Sequence, residues 1–206
     1  MNIITLSTAI VGTGAAGYNA ALRLARTGDS NIAIFTMGVM NSTSRNTGSD
    51  KQTYYKLSLC GSDGDSVREM ADTLYSGGGV MGEHALCEAA YSTRCFMHLV
   101  ELGVPFPTNE YGEYAGYKTD HDPRSRATSC GPLTSKFMTE ALQAQVERKN
   151  IPVVDDTIIV EILKNENGVV GAVGLNTKNA DDESKGFCLF GSAVTGIRKN
   201  SLTGKG

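Results

Sequence analysis

Ala9-Ile10-Val11-Gly12-Thr13-Gly14-Ala15-Ala16-Gly17 is the stretch on which the fold turns. Its three glycines, at G-x-G-x-x-G spacing, follow an apolar, β-prone run from Ser7 to Val11. They open a segment, Ala15 to Thr27, in which Ala16, Ala20, Leu22, Leu24 and Ala25 keep helical spacing as far as Gly28. A second compact run, Asn31 to Thr36, reads as a strand, so residues 1–36 predict one βαβ unit with a right-handed crossover. In that setting Gly12 permits the tight turn, Gly14 lets the backbone approach a pyrophosphate, and Gly17 lets helix and strand pack closely. The helix N-terminus, with Thr13, Ala15 and Ala16, offers free N–H groups and positive dipole to the phosphates. A dinucleotide site is the expectation; the alternative is a glycine-rich turn without a ligand.

Downstream, Gly38 to Lys51 is polar and reads as a loop at the carboxyl end of the second strand. Val67, Met70, Ala71 and Leu74 predict a helix closed by Gly77 to Gly79. A longer helix is expected over Glu83 to Leu102, with Leu86, Ala89, Ala90, Phe96, Met97, Leu99 and Val100 inward and Gly103 beyond its end. Phe106 to Tyr117 reads as a loop or hairpin, and Ser135 to Arg148 as an amphipathic helix. Ile151 to Val154, Ile158 to Leu163 and Val169 to Leu175 read as strands, the last two joined by the turn signal Asn165-Glu166-Asn167-Gly168, with Phe187 to Phe190 as one more. The fold class expected is α/β: a mostly parallel Rossmann-like sheet with helices on both faces and an antiparallel β-hairpin excursion near residues 158–175.

Composition removes other classes. With 19 Lys plus Arg scattered among 22 Asp plus Glu, no one-sign patch is available to follow a phosphate backbone, so nucleic acid is not an expected partner. No run approaches the roughly 18 apolar residues of a membrane span, and the N-terminus has no basic n-region, so a cytoplasmic protein is expected. Five cysteines without a C-x-x-C, joined by only three histidines, give neither a disulfide framework nor a metal site. Cys87 and Cys95, inside the long helix, are expected to be small buried hydrophobes.

The acidic residue expected about 20 positions past the glycines, where it would bind the adenosine ribose, is missing. Asp29 is the sole carboxylate between Gly17 and Asp50, and it precedes the second strand, at the wrong end. Thr36 and Met37 occupy the right end. A Thr hydroxyl makes one neutral hydrogen bond where a carboxylate makes charge-assisted ones, a deficit of about 1–3 kcal/mol in dinucleotide affinity.

Beyond the fingerprint, Ser42-Thr43-Ser44-Arg45-Asn46-Thr47-Gly48-Ser49-Asp50-Lys51-Gln52, the stretch from Gly77 to Phe106, and Gly131 to Leu175 follow in order. On these residues the chain resembles, over about residues 5–190, the FAD-dependent oxidoreductases of the fumarate reductase, succinate dehydrogenase and L-aspartate oxidase superfamily. The resemblance implies that Ser42, Thr43, Ser44, Thr47 and Gly48 hydrogen-bond FAD, unless that loop is merely exposed and flexible. It also implies that the backbone at Ile159 meets the adenine and that Thr195 and Gly196 return to the cofactor. Met37 stands where relatives carry Glu, and the loop has no His where respiratory members hold flavin covalently, so noncovalent FAD is implied.

The resemblance fades after Gly196, before the family's substrate-capping domain and final FAD-binding segment. Residues 1–196 are thus expected to be the N-terminal part of an FAD-binding domain and 197–206 a divergent tail. Whether such a chain catalyses alone is open, and catalytic residues are unassigned. The implied complete enzyme exchanges hydride between FAD and a dicarboxylate or amino-acid-like substrate, completed by another chain or by self-association. His121, Arg124, Arg126, Thr128 and Ser129 are candidate substrate-side groups, with a solvated loop as their alternative. Two other readings stand beside this one: an NAD(P)-binding Rossmann protein, and a nonfunctional or structural fragment of a flavoenzyme.

Overall fold

The computed structural model describes residues 2–50, 52–120, 122–179 and 187–196, with the backbone alone for Asn2, Asn179 and 187–196. The chain divides into two compact units: residues 1–46 with 142–206, and residues 47–141.

In the first unit, β1 (Asn2–Val11) lies parallel to β2 (Ile32–Phe35) on one side and to β8 (Phe187–Gly196) on the other. β1 starts five residues before the run that begins at Ser7, and its first half, Asn2 to Leu6, pairs with β8 while β2 joins only from Thr8. All four residues of β2 are buried, which is why it reads as a continuous apolar run rather than an alternating one. Outside β2 runs the short parallel β5 (Val153–Val154). Beyond β8, β7 (Gly168–Asn176) and β6 (Thr157–Asn165) form an antiparallel hairpin, giving the order β5-β2-β1-β8-β7-β6. The hairpin therefore extends the parallel sheet. At its turn, Gly168 holds φ 118°, a conformation that favours glycine.

Between β1 and β2 runs α1 (Ala15–Arg26), with Arg23 and Arg26 in its last turn where they complement the helix dipole. Successive residues of β1 face opposite sides of the sheet. Ala9 packs with Ala33, Phe35 and Ala172, with Ile159 against them, whereas Ile10 lies under Gly17 of α1. The end of α5 (Thr134–Arg148) contributes buried Leu142 and Val146 to this unit.

The second unit is built on two helices, α3 (Val67–Ser76) and α4 (Gly82–Glu101). Ser66 caps α3 by accepting the Glu69 N–H at 3.1 Å. Met70 and Ala71 of α3 pack on Ala85 and Ala89 of α4. The buried stripe of α4 is Ala85, Ala89, Ser92, Phe96 and Leu99, so Leu86, Ala90 and Met97 are exposed rather than inward. Small Ala85 and Ala89 define the contact with α3; Ala89 was expected inward, whereas ranking residues by apolar size misses Ala85. Ser92 belongs to the stripe because its hydroxyl donates to the Ala89 carbonyl at 2.9 Å and accepts the Leu57 N–H at 3.2 Å. The same rotation leaves Cys87 and Cys95 exposed, which corrects their reading as buried hydrophobes. A two-stranded pairing of β3 (Tyr54–Tyr55) with β4 (Ala127–Thr128) completes this unit. α2 (Thr43–Asn46), in the first unit, is a single turn within the polar loop.

Candidate functional site

The glycine turn lies at the carboxyl edge of β1. Gly12 holds φ 105° and donates its N–H to the Phe35 carbonyl at 2.8 Å, tying the turn to the end of β2. A Cβ on Gly17 would stand 2.0 Å from the Gly12 carbonyl oxygen, so α1 approaches the turn as closely as a hydrogen side chain allows. Gly14 caps α1 without a side-chain hydrogen bond, and the first turn contains no acid. The N–H groups of Ala15 and Ala16 thus sit at a helix start with no competing anion of its own, the arrangement that receives phosphate.

Beside this turn stands the polar loop. A Cβ on Gly14 would lie 3.2 Å from the Ser44 hydroxyl, so a side chain there would fill the space between turn and loop. The Ser42 hydroxyl is buried without a hydrogen-bond partner among the described residues. An unsatisfied buried hydroxyl costs about 1–3 kcal/mol, and a ligand acceptor at this loop would remove that cost. Thr43 is exposed. Below the loop, buried Arg45 donates to the Gln143 side chain and lies beside Tyr18. Burial raises the Tyr18 pKa, and the Arg45 guanidinium works against that rise. Arg45, Tyr18 and Gln143 brace the loop against α1 and α5. Sequence reading passed over all three, because the Arg45–Gln143 contact joins residues 98 apart.

Thr36 is buried, and its hydroxyl lies 3.0 Å from that of Thr13, so the two tie β2 to the glycine turn. Met37 is 56% exposed at the carboxyl edge. Asp29 takes the Ser7 hydroxyl at 2.5 Å and the Asn31 N–H at 3.2 Å, at the opposite edge. At the same edge as the turn, Thr195 and Gly196 lie in register with Ile10 and Val11. Ile159 pairs with Gly174 in the hairpin and points its side chain into the core. Thr47 and Gly48 belong to the second unit, both exposed, and a Cβ on Gly48 would come within 3.3 Å of Leu133.

The proposed substrate-side groups fall in the second unit. Arg126 is neither solvated nor free: it is fully buried, with two hydrogen bonds to Asp65 at 2.9 and 2.7 Å, one to Thr73 at 2.9 Å and one to Asp122 at 3.2 Å. Burial pushes the Tyr55 hydroxyl in this network up to about 12. Arg124 grips Glu69 with two hydrogen bonds at 2.9 and 3.2 Å, leaving neither arginine poised for a substrate carboxylate. Ser129 donates to the Gly131 carbonyl at 3.2 Å, and Thr128 is buried. His121 lies outside the described residues.

Lys56 has no counterpart in the sequence reading. It is fully buried, donates to the Tyr114 carbonyl at 3.3 Å and stands 4.9 Å from the Phe96 ring centre. Burial lowers its pKa below the usual lysine value. The folded state therefore binds protons less readily than the unfolded one, and stability rises as pH climbs from the folded value to the unfolded value of about 10.4. Thermal melts should gain more between pH 8 and 10 in wild type than in Lys56→Met; parallel curves would show that Lys56 does not couple to folding.

Among the described residues no His, Cys, Asp or Glu group could hold a metal ion, and no helix is long and apolar enough to cross a membrane. Residues 7–187 match the family described as FAD binding domain. No curated protein sequence matches. Among solved structures, a point mutant of E. coli quinol fumarate reductase FrdA superposes with a TM-score of 0.79 at 20% identity, over 96% of this chain and 33% of that one. The apo Sdh1 complex of Mycobacterium smegmatis gives 0.80 at 16%, over 96% and 34%. The 3-ketosteroid-delta4-(5alpha)-dehydrogenase of Rhodococcus jostii RHA1 gives 0.71 at 16%, over 93% and 45%. The chain thus spans about a third of the first two and under half of the third. At these identities the likeness concerns the fold, whereas the family match extends over most of the sequence and agrees with the open helix start, the Gly14 cradle and the Ser42 hydroxyl. The chain belongs to the family described as FAD binding domain, with a fold like that of about a third of the fumarate reductase and Sdh1 chains.

Proposed function

We propose that this chain holds FAD noncovalently as the cofactor-binding portion of a flavin-dependent oxidoreductase. Residues 1–196 form the N-terminal part of the FAD-binding domain. The observation that carries the reading is the loop beside the glycine turn: Ser44 flanks Gly14, and Ser42 keeps a buried hydroxyl without a partner. Gly12, Thr13, Gly14, Ala15, Ala16 and Gly17 receive the pyrophosphate, with Ser42, Thr43 and Ser44 closing over it and Thr47 and Gly48 next along the chain. Thr36, Met37 and the Ile159 backbone serve the adenosine, and Thr195 with Gly196 lies under the cofactor. These groups bind and orient, while bound FAD supplies the hydride exchange.

In the complete cytoplasmic protein the partner in that exchange is a dicarboxylate or amino-acid-like substrate, and the substrate-side groups come from a further segment or a second chain. The buried pairing of Arg126 and the grip of Arg124 on Glu69 support this division, because neither guanidinium is available here to clamp a carboxylate.

The test is the visible spectrum of the purified protein after incubation with FAD and removal of the unbound fraction. Flavin absorbance should stay with the protein and be released on denaturation. A colourless protein that retains nicotinamide nucleotide instead would replace this reading with the NAD(P) one, and retention of neither would favour a structural fragment.

A further inference from the structure

Strand β2 ends without the carboxylate that a ribose diol requires, but the strand beside it does not. β5 runs parallel to β2 with Phe35 opposite Val154, so Asp155 emerges at the carboxyl edge next to Thr36. The edge is closely tied there: the Thr36 N–H donates to the Val154 carbonyl at 3.0 Å and the Thr157 N–H to the Thr36 carbonyl at 2.7 Å. Asp155 is exposed, and its Oδ1 accepts the N–H groups of Val39 and Asp156, both at 2.9 Å. No hydrogen bond among the described residues falls on its Oδ2. Its neighbour Asp156 is occupied instead, through a 2.7 Å ion pair with Lys178. The bond from Val39 also ties to this carboxylate the turn that carries Met37 and Met40, 56% and 62% exposed.

We propose that Asp155 supplies from β5 the ribose-binding carboxylate that β2 lacks, with Oδ2 accepting from the adenosine ribose diol and Met37 and Met40 forming the apolar surface on which the purine rests. This rests on the FAD reading above and names the residues of its adenosine half. The chemistry favours it for three reasons. A carboxylate accepts from hydroxyls through charge-assisted bonds, which a Thr hydroxyl cannot match. Oδ1 is held by two backbone N–H groups, so Oδ2 is oriented before a ligand arrives. Exposed, flexible methionines are the side chains that adapt to a flat ring. The affinity deficit expected from Thr36 and Met37 is then absent.

The experiment is displacement of bound FAD by ADP and by 2′,3′-dideoxy-ADP, in wild type and in Asp155→Asn. An Asn Oδ1 still accepts the Val39 N–H, so the turn is kept while the charge is removed. Wild type should prefer ADP by tenfold or more, and Asp155→Asn should reduce that preference below threefold while dideoxy-ADP affinity stays unchanged. Met37→Glu should restore the preference in Asp155→Asn yet add nothing to wild type, where the diol is already met and a second carboxylate repels the first. An undiminished preference in Asp155→Asn overturns the proposal, as does an equal loss for both nucleotides, which would assign Asp155 to the turn alone. Failure of wild type to take up FAD at all overturns the FAD reading itself and is told apart by the spectrum.

Discussion

A chain carrying Gly14→Val folds and fails to retain FAD. The backbone at Gly14 is extended, φ −78° and ψ 174°, so a side chain is tolerated there without backbone strain. What it meets is the cradle: the Cβ alone comes to 3.2 Å of the Ser44 hydroxyl, and the two further methyl groups of Val project into the space where the pyrophosphate must approach the backbone. Affinity should drop on the order of 100-fold or more, a loss of about 3 kcal/mol, while helix content and melting change little. Gly17→Ala is the contrasting control. Its Cβ would overlap the Gly12 carbonyl oxygen at 2.0 Å, so α1 and the turn must separate and stability as well as binding is lost. FAD uptake by Gly14→Val at wild-type affinity would mean that the phosphates do not pass this turn. Equal destabilisation by both variants would mean that Gly14 serves the fold alone.

The parts of this molecule legible in its sequence are those in which neighbours along the chain decide the structure. The βαβ unit follows from residues 1–36, the hairpin from Asn165 to Gly168, and α1, α3, α4 and α5 from their own apolar spacing, while the single turn α2 has none to read. Extent was less legible: β1 begins at Asn2 because its first half is paired by β8, which lies more than 180 residues onward. Phase was only partly legible in α4: Ala89, Phe96 and Leu99 are buried as expected, but Ala85 and Ser92 complete the stripe in place of Leu86, Ala90 and Met97. The glycine turn and the Ser42 to Ser44 loop could be named as candidates from their order alone, but the contact between Gly14 and Ser44 belongs to the folded chain. Least legible were the partners of charged residues. Arg126 reads as a loop arginine until Asp65, 61 residues earlier, is seen against it. Asp155 reads as one of two adjacent acids until Asp156 is found paired with Lys178.

Arg126→Met should cost about 3–5 kcal/mol of stability at neutral pH, the penalty for breaking a buried pair from one side. Removing the guanidinium leaves the carboxylates of Asp65 and Asp122, whose side chains are 2% and 3% exposed, without the ion-pair partner that joins them. Set against a total of roughly 5–15 kcal/mol for a folded domain, the loss is large and should lower the melting temperature by on the order of 10 °C. The pH dependence separates this from a simple packing defect. In wild type, burial works to raise the Asp65 pKa, but the Arg126 hydrogen bonds and the N–H groups of Ser58 and Ser66 hold it below the usual carboxylate value. Its stabilising contribution is therefore complete above an unfolded pKa of about 3.9 and is lost as pH falls toward the folded value. In the variant the desolvation remains and the guanidinium is gone. The carboxyl pKa moves up, and acid protonates the group and relieves the penalty. The stability gap between the two proteins should thus be widest near pH 7 and close as the pH is lowered toward 4. Arg126→Lys, which keeps the charge but not the two-pronged contact, should fall between them. A gap that stays constant from pH 7 to 4 would assign the loss to packing, and one below about 1 kcal/mol would make the ion pair energetically equivalent to a surface one.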